Sequence, residues 1–199
     1  MTIDPDRKAA KAGLRRELLD VRRTLTADDV QVAALALSER ALRLDALSAP
    51  GTVVAAYVSV GREPGTRALL DALRARGVRV LLPVLLADND LDWAAYEGPE
   101  RLAPAARGLL EPVGERLGPE AVTSAHAVLL PGLAVDGRGM RLGRGGGSYD
   151  RVLARLERAG ANPRLVVLLY DNEVVARVPA EPHDHPVHAV VTPSGIRTF

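Results

Sequence analysis

The 199-residue chain contains no cysteine, which removes disulfide frameworks, thiolate metal sites and cysteine nucleophiles together. Lysine is nearly absent too: Lys8 and Lys11 are its only copies, both in one short segment. The 26 basic and 25 acidic residues leave a formal charge of +1, so no overall field exists to hold a nucleic-acid backbone, and any anion site must be local. Aromatic residues make up 3%, too few for a base-stacking platform. No apolar run approaches the ~18 residues of a membrane span, and MTIDPDRKAAKAGLRREL holds no apolar stretch of signal-peptide length. These absences predict a soluble cytoplasmic protein with neither nucleic acid nor membrane as partner.

Apolar residues at 47% and charged residues at 26% give a globular composition, with room for one sizeable domain and not two large ones. Pro5 suits a first helical turn behind an Asp4 cap, and Leu14, Leu18, Val21 and Leu25 recur at helical spacing. A helix over about residues 5–24 is therefore predicted, with Lys8, Lys11 and Arg15 on one face. Thr26 and Asp29 form a capping-box variant for a second helix reaching about Leu47. From Thr52 the pattern changes to β-branched apolar runs, TVVAAYVS and VRVLLPVL, joined by a helical segment from Thr66 to Arg76 that Gly77 terminates. AHAVLLPG, RLVVLLY and HAVVTP are further buried-looking strands, DLDWAAYE alternates like one, and a helix is expected from Ser148 to about Ala159. The sequence predicts an α/β domain over residues 1–199, with parallel strands and N-terminal helices about 5–48 packed on the core. Residues about 98–120 read as a long surface connection.

The richest stretch is LPGLAVDGRGMRLGRGGGSYDRVLAR, from Leu130 to Arg155. A glycine loop that opens a helix can aim backbone N–H groups at a phosphate, and the helix dipole favours the negative charge. Arg141 and Arg144 add forked donors suited to phosphate oxygens. The loop lacks the Gly-Lys-Ser/Thr ending of a P-loop, and its G-x-G-x-x run closes on Ser148, so neither a Walker NTPase nor a dinucleotide-binding loop is predicted. Asp150 falls in the first helical turn, where a bound phosphate would need a cation between them, and Mg²⁺ suits that place. The alternative is a flexible loop with Ser148 as cap and Asp150 as a helix stabiliser.

Elsewhere, PAEPHDHP with His188 offers His183, Asp184, His185 and His188, either as a zinc site or as a proline-stiffened loop in which Asp184 matters. Glu63, in GREPGT, follows the first strand at the carboxyl end where ligands of α/β sheets collect, or it is an exposed turn acid. Trp93 and Tyr96 stack on a planar ligand or fill core.

Taken together, LPGLAVDGRGMRLGRGGGSYDR, the later PAEPHD, GREPGT, LLEP at Leu109–Pro112 and KAGLRREL near the start resemble the 5-formyltetrahydrofolate cyclo-ligase (5,10-methenyltetrahydrofolate synthetase) family. The resemblance runs from about Lys8 to Ile196. It implies a three-layer α/β sandwich with a mostly parallel sheet, like ribose-phosphate isomerase and CoA-transferase-like proteins. It also implies conversion of 5-formyltetrahydrofolate to 5,10-methenyltetrahydrofolate, dependent on ATP and Mg²⁺, with release of ADP and phosphate.

Carried over, the resemblance makes Lys8, Lys11 and Arg15 the basic face that meets the nucleotide. Arg141, Gly143, Arg144, Gly145, Gly146 and Gly147 become the phosphate cradle. Asp150 and Asp184 become the acids near the metal, with Glu63, Arg141 and Asp150 as the catalytic set. Glu63 and Tyr149 meet the folate. Three departures accompany it. The family loop reads GYGGGYYD, so Arg144 and Ser148 stand at aromatic positions; Glu173 stands near a usual glutamine; and Pro64 and Gly65 replace a valine and acidic pair. The alternative functions are an ATP-dependent relative acting on another formyl or carboxyl substrate, and a non-catalytic member that binds folate or nucleotide.

Overall fold

The computed structural model describes residues 5–181 and 184–199; Asp4, expected to cap the first helix, lies outside them. Helix α1 (Pro5–Thr24) has its predicted bounds, but its inward stripe runs Leu14, Leu18 and Arg22, while Val21 is exposed. The stripe is turned because Arg22 has a buried acidic partner, whereas hydropathy favours Val21. Helix α2 (Ala27–Ala41) starts with the predicted capping box: the Asp29 amide donates to Thr26 Oγ1 at 3.1 Å, and the Thr26 amide donates to Asp29 Oδ2 at 2.8 Å. The predicted continuation to Leu47 is broken after Ala41 and resumes as the one-turn helix α3 (Asp45–Ser48).

Strand β1 (Val53–Ala55) feeds helix α4 (Arg67–Ala75), which buries Leu69, Leu70 and Leu73 on one face. The helix ends as Gly77 predicts: Gly77 sits at φ +77°, its amide donates to the Arg74 carbonyl, and the Val78 amide reaches back to Leu73. This paired closure needs the left-handed conformation glycine adopts freely. The chain then enters β2 (Arg79–Leu85), turns back through β3 (Leu91–Ala95), and forms the hairpin β4 (Leu102–Pro104) and β5 (Leu110–Pro112). Residues 98–120 are thus no bare surface connection. Leu102 and Leu110 pack against the core, and Glu111 Oε1 accepts the Leu85 amide at 2.9 Å. Next come β6 (Ala127–Leu130), the short pair β7 (Ala134–Val135) and β8 (Arg141–Leu142), and helix α5 (Ser148–Arg158). Strands β9 (Arg164–Leu168), β10 (Ala189–Thr192) and β11 (Gly195–Thr198) complete the described chain.

Seven strands form one sheet in the order β11-β10-β9-β6-β1-β2-β3. The five inner strands are parallel and the two edge strands antiparallel. Alternate residues feed opposite faces, as the pleat demands. Val54, Leu82, Leu129 and Val166 pack with Leu37 of α2 and Leu70 and Leu73 of α4. Ala55, Leu81, Val128 and Val167 pack on the other side with Val152 and Leu156 of α5 and with Trp93, which is core. The result is the predicted three-layer α/β architecture. A third cluster, Leu18, Leu133, Ala134, Leu142 and Val178, fastens α1 across β7 and β8.

Candidate active site

The connection from β1 runs to β2 on one side, while β6 lies on β1's other side and leads outward to β9 and β10. Such a reversal opens a crevice at the carboxyl ends of the strands, where open α/β sheets bind ligands. A cavity of about 540 Å³ occupies this place. Tyr57, Val58, Val60 and Glu63 line it after β1, Pro131 after β6, Pro83 and Leu85 from β2, and Arg107 with Leu109 to Glu111 from the hairpin. Every site residue carried over from the family resemblance borders it: Lys8, Lys11, Arg15, Glu63, Arg141, Gly143 to Gly147, Tyr149, Asp150 and Asp184.

The loop after β1 is shaped by Thr66, which is fully buried. Its hydroxyl donates to the Tyr57 carbonyl at 2.7 Å and accepts from the Ser59 amide at 2.9 Å, which fixes the turn carrying Glu63. Glu63 Oε2 accepts the Val60 amide at 2.9 Å, and Oε1 faces Arg144 Nη1 at 3.0 Å. Glu63 is therefore no free turn acid.

The glycine loop is held from both sides. Arg141, with a side chain 8% exposed, donates to the Pro131 carbonyl at 2.8 Å and lies 3.7 Å from Asp150. Burial pushes its pKa down and Asp150 opposes the change; a guanidinium stays charged regardless. A Cβ on Gly143 would stand 2.9 Å from Arg141 Nη1, so glycine is what lets the guanidinium lie against the loop. Arg15 Nε donates to the Gly143 carbonyl at 2.9 Å, tying α1 to the loop. Gly145 and Gly147 hold φ +90° and +80°. Gly147, not Ser148, stands at the cap of α5 and no side chain among the described residues caps that turn, which leaves its first amides to an anion.

Lys11 Nζ donates to Glu181 at 2.6 Å and to Asp184 at 2.9 Å. Burial works against the ammonium, but the two carboxylates outweigh it and raise its pKa. Asp184 also accepts the Glu181 amide at 2.7 Å. Asp150 is different, with a side chain 72% exposed. Among the described residues no group of three or more His, Cys, Asp or Glu could cage a metal ion. An exposed carboxylate at the loop mouth, with a second acid bordering the same cavity, fits a Mg²⁺ that takes its remaining ligands from phosphates and water.

The histidine reading of PAEPHDHP gains nothing. His183 lies outside the described residues, His188 Nδ1 accepts the Leu165 amide at 2.9 Å, and His185 approaches Glu157. Tyr149 borders the cavity, yet its hydroxyl is buried without a hydrogen-bond partner among the described residues. Burial pushes that phenol up, with the Glu63 charge adding to the rise. Sequence reasoning missed Tyr57, Glu111 and Glu181. Glu181 had a signal, since it stands three residues before Asp184 in a proline-framed loop, and Glu111 stood within LLEP.

Fold and cavity together define an α/β enzyme with its cleft at the carboxyl ends of parallel strands. The family model of the 5-formyltetrahydrofolate cyclo-ligase family matches residues 7–193. The chain is 42% identical over 193 residues to 5-formyltetrahydrofolate cyclo-ligase of Mycolicibacterium smegmatis, covering 92% of this chain and 94% of the relative. It is 32% identical to the Escherichia coli K12 cyclo-ligase, over 72% and 79% of the two chains. The NMR structure of Aquifex aeolicus 5,10-methenyltetrahydrofolate synthetase superposes with a TM-score of 0.76 at 28% identity, covering 94% of this chain and 92% of that one. The chain belongs to the 5-formyltetrahydrofolate cyclo-ligase family, a family of enzymes. No helix among the described residues is long and apolar enough to cross a membrane.

Proposed function

We propose that the protein converts 5-formyltetrahydrofolate to 5,10-methenyltetrahydrofolate at the expense of ATP, releasing ADP and phosphate. The observation that carries the reading is the convergence, in one cavity, of a glycine loop flanked by arginines with an acid seated after β1. The formyl oxygen is a poor leaving group until it is phosphorylated. Transfer of the γ-phosphoryl group to that oxygen yields ADP. Attack by N10 on the formyl carbon then closes the ring, expels the oxygen as phosphate and loses the N10 proton. Such transfer depends on positioning and charge neutralisation more than on covalent help from the protein.

Lys8, Lys11 and Arg15 on α1 serve as the nucleotide wall. The amides of Gly143 to Gly147 and the guanidiniums of Arg141 and Arg144 receive the phosphates. Buried Arg141 keeps its charge beside the transferring group, where low dielectric strengthens it. Asp150 and Asp184 would hold Mg²⁺, which when bound offsets phosphate charge. Glu63 orients the formyl and pterin end of the folate, and Tyr149 lines that pocket. The test is methenyltetrahydrofolate formation followed spectrophotometrically, with and without ATP and Mg²⁺. Product only when both are present supports the reading; no product from protein that binds ATP points to a relative acting on another formyl or carboxyl substrate.

A further inference from the structure

Glu63 and Arg144 are separated by 81 positions, yet they meet at the wall of the cavity that both line. Oε2 of Glu63 is engaged by its own turn through the Val60 amide, so Oε1 is the oxygen left to face a ligand, and Arg144 sits on it at 3.0 Å. The Glu63 side chain is 11% exposed and the Arg144 side chain 53% exposed. The arginine is thus the more exposed member of the pair, on a long side chain between Gly143 and Gly145. It belongs to the loop that offers its donors to phosphate, and a polyphosphate attracts a guanidinium more strongly than one carboxylate does.

We propose that Arg144 couples the two ligands: nucleotide phosphates on the glycine loop draw it off Glu63, and the uncovered carboxylate then receives the folate. This rests on the function proposed above. Reciprocity follows, because folate bound at Glu63 displaces Arg144 toward the loop and must raise nucleotide affinity by the same factor. Arg144 is then a specificity and positioning residue that acts through Glu63. The pair is partly exposed and so is worth little; the coupling expected at low salt is about two- to fivefold, which is about 0.4–1 kcal/mol. Salt screens the pair and shrinks the factor.

Calorimetric titration of 5-formyltetrahydrofolate, with and without a non-hydrolysable ATP analogue and Mg²⁺, tests this. In the unmodified protein the analogue is expected to tighten folate binding about two- to fivefold. In R144Q and R144Y the ratio falls to one, and folate alone binds R144Q more tightly than the unmodified protein because Glu63 is already uncovered. R144K keeps the coupling. A merely structural role for Arg144 would change affinities without changing the ratio. Both ligands binding with a ratio of one in the unmodified protein, or an undiminished ratio in R144Q, overturns the coupling and leaves the function standing. Failure of either ligand to bind the unmodified protein overturns the function and the coupling with it.

Discussion

Arg22 grips Glu173 with two prongs, Nε to Oε1 at 2.6 Å and Nη2 to Oε2 at 2.9 Å, and so fastens α1 to the turn that follows β9. The side chains are 5% and 1% exposed. Arg22 also donates to the Gly132 carbonyl at 2.8 Å, and Glu173 accepts the Tyr170 amide at 3.0 Å. Burial pushes the Glu173 carboxyl up, and Arg22 offsets part of that rise. The negative charge that Glu173 brings in place of a glutamine is therefore balanced within the fold. R22A strands this acid and is expected to lose about 3–5 kcal/mol in urea unfolding, whereas replacing both residues together by apolar ones of similar size costs far less. A loss for R22A within about 0.5 kcal/mol, the usual range of a surface change, would contradict the account.

The Tyr149 hydroxyl has an opposite signature. A buried, unpartnered hydroxyl costs about 1–3 kcal/mol. Y149F should therefore unfold at equal or higher urea concentration than the unmodified protein while binding 5-formyltetrahydrofolate more weakly. Loss of stability without loss of affinity would show that the hydroxyl serves the core and not the ligand.

The proposed function divides Asp150 and Glu63 between the two substrates. D150A is expected to abolish turnover with at most a modest loss of folate binding, checked by pairing the methenyltetrahydrofolate assay with calorimetry. E63A is expected to weaken folate binding and leave the ATP analogue bound at least as tightly, by up to about fivefold more because Arg144 is already released. A selective loss of nucleotide binding in E63A would place the folate on the wrong side of the cavity.

Gly145 probes the cradle. At φ +90° alanine meets backbone strain, while its Cβ would rest 3.4 Å from Arg15 Cζ in ordinary contact with the side chain that holds the loop. Left-handed backbone costs an alanine about 1–2 kcal/mol. G145A should raise the Kd for the ATP analogue several-fold, with the folate site little affected, whereas G146A, at a position open in space and without a positive φ, should be mild.

Acid stability reports the scaffold behind the cleft. Arg155 donates to both oxygens of Asp90, at 3.2 and 2.6 Å, and also to Glu120 at 2.8 Å. The hydrogen bonds from Arg155 hold Asp90 below the usual carboxylate range. The unfolded chain then binds protons first, at about pH 3.9. The pair's contribution is complete above that pH and is lost as pH falls through the lower folded value. Urea unfolding between pH 2.5 and 7 should show D90N less stable at neutral pH, with a shallower acid decline. An unchanged acid limb would remove Asp90 from the account.

The strands were legible because β-branched apolar runs bounded by glycine have few other uses, and Gly77 announced its helix end through a conformation other residues avoid. Strand β1 is shorter than TVVAAYVS suggests, since the chain leaves the sheet to wall the cavity with Tyr57 and Val58. The hairpin within residues 98–120 was hidden because three-residue strands show no alternation. Many residues that line the cavity stand in the motifs, but how they pair was not readable there. Glu63 with Arg144, and Lys11 with Glu181 and Asp184, meet across 81 to 173 positions, a distance no local pattern encodes.

The wall that α1 contributes is made of residues 11 to 22 joined to residues 143, 173, 181 and 184. During synthesis the helix leaves the ribosome early, while the carboxylates that neutralise Lys11 are still untranslated. Arg22 lacks its native partners until Gly132 and Glu173 have emerged, Lys11 lacks its own until Glu181 and Asp184 have followed, and until then the cleft lacks one side. A nascent chain thus carries most of its sheet before it can carry a ligand, and the cosubstrate, binding only the finished cleft, would stabilise chains that have been made through to that last acid.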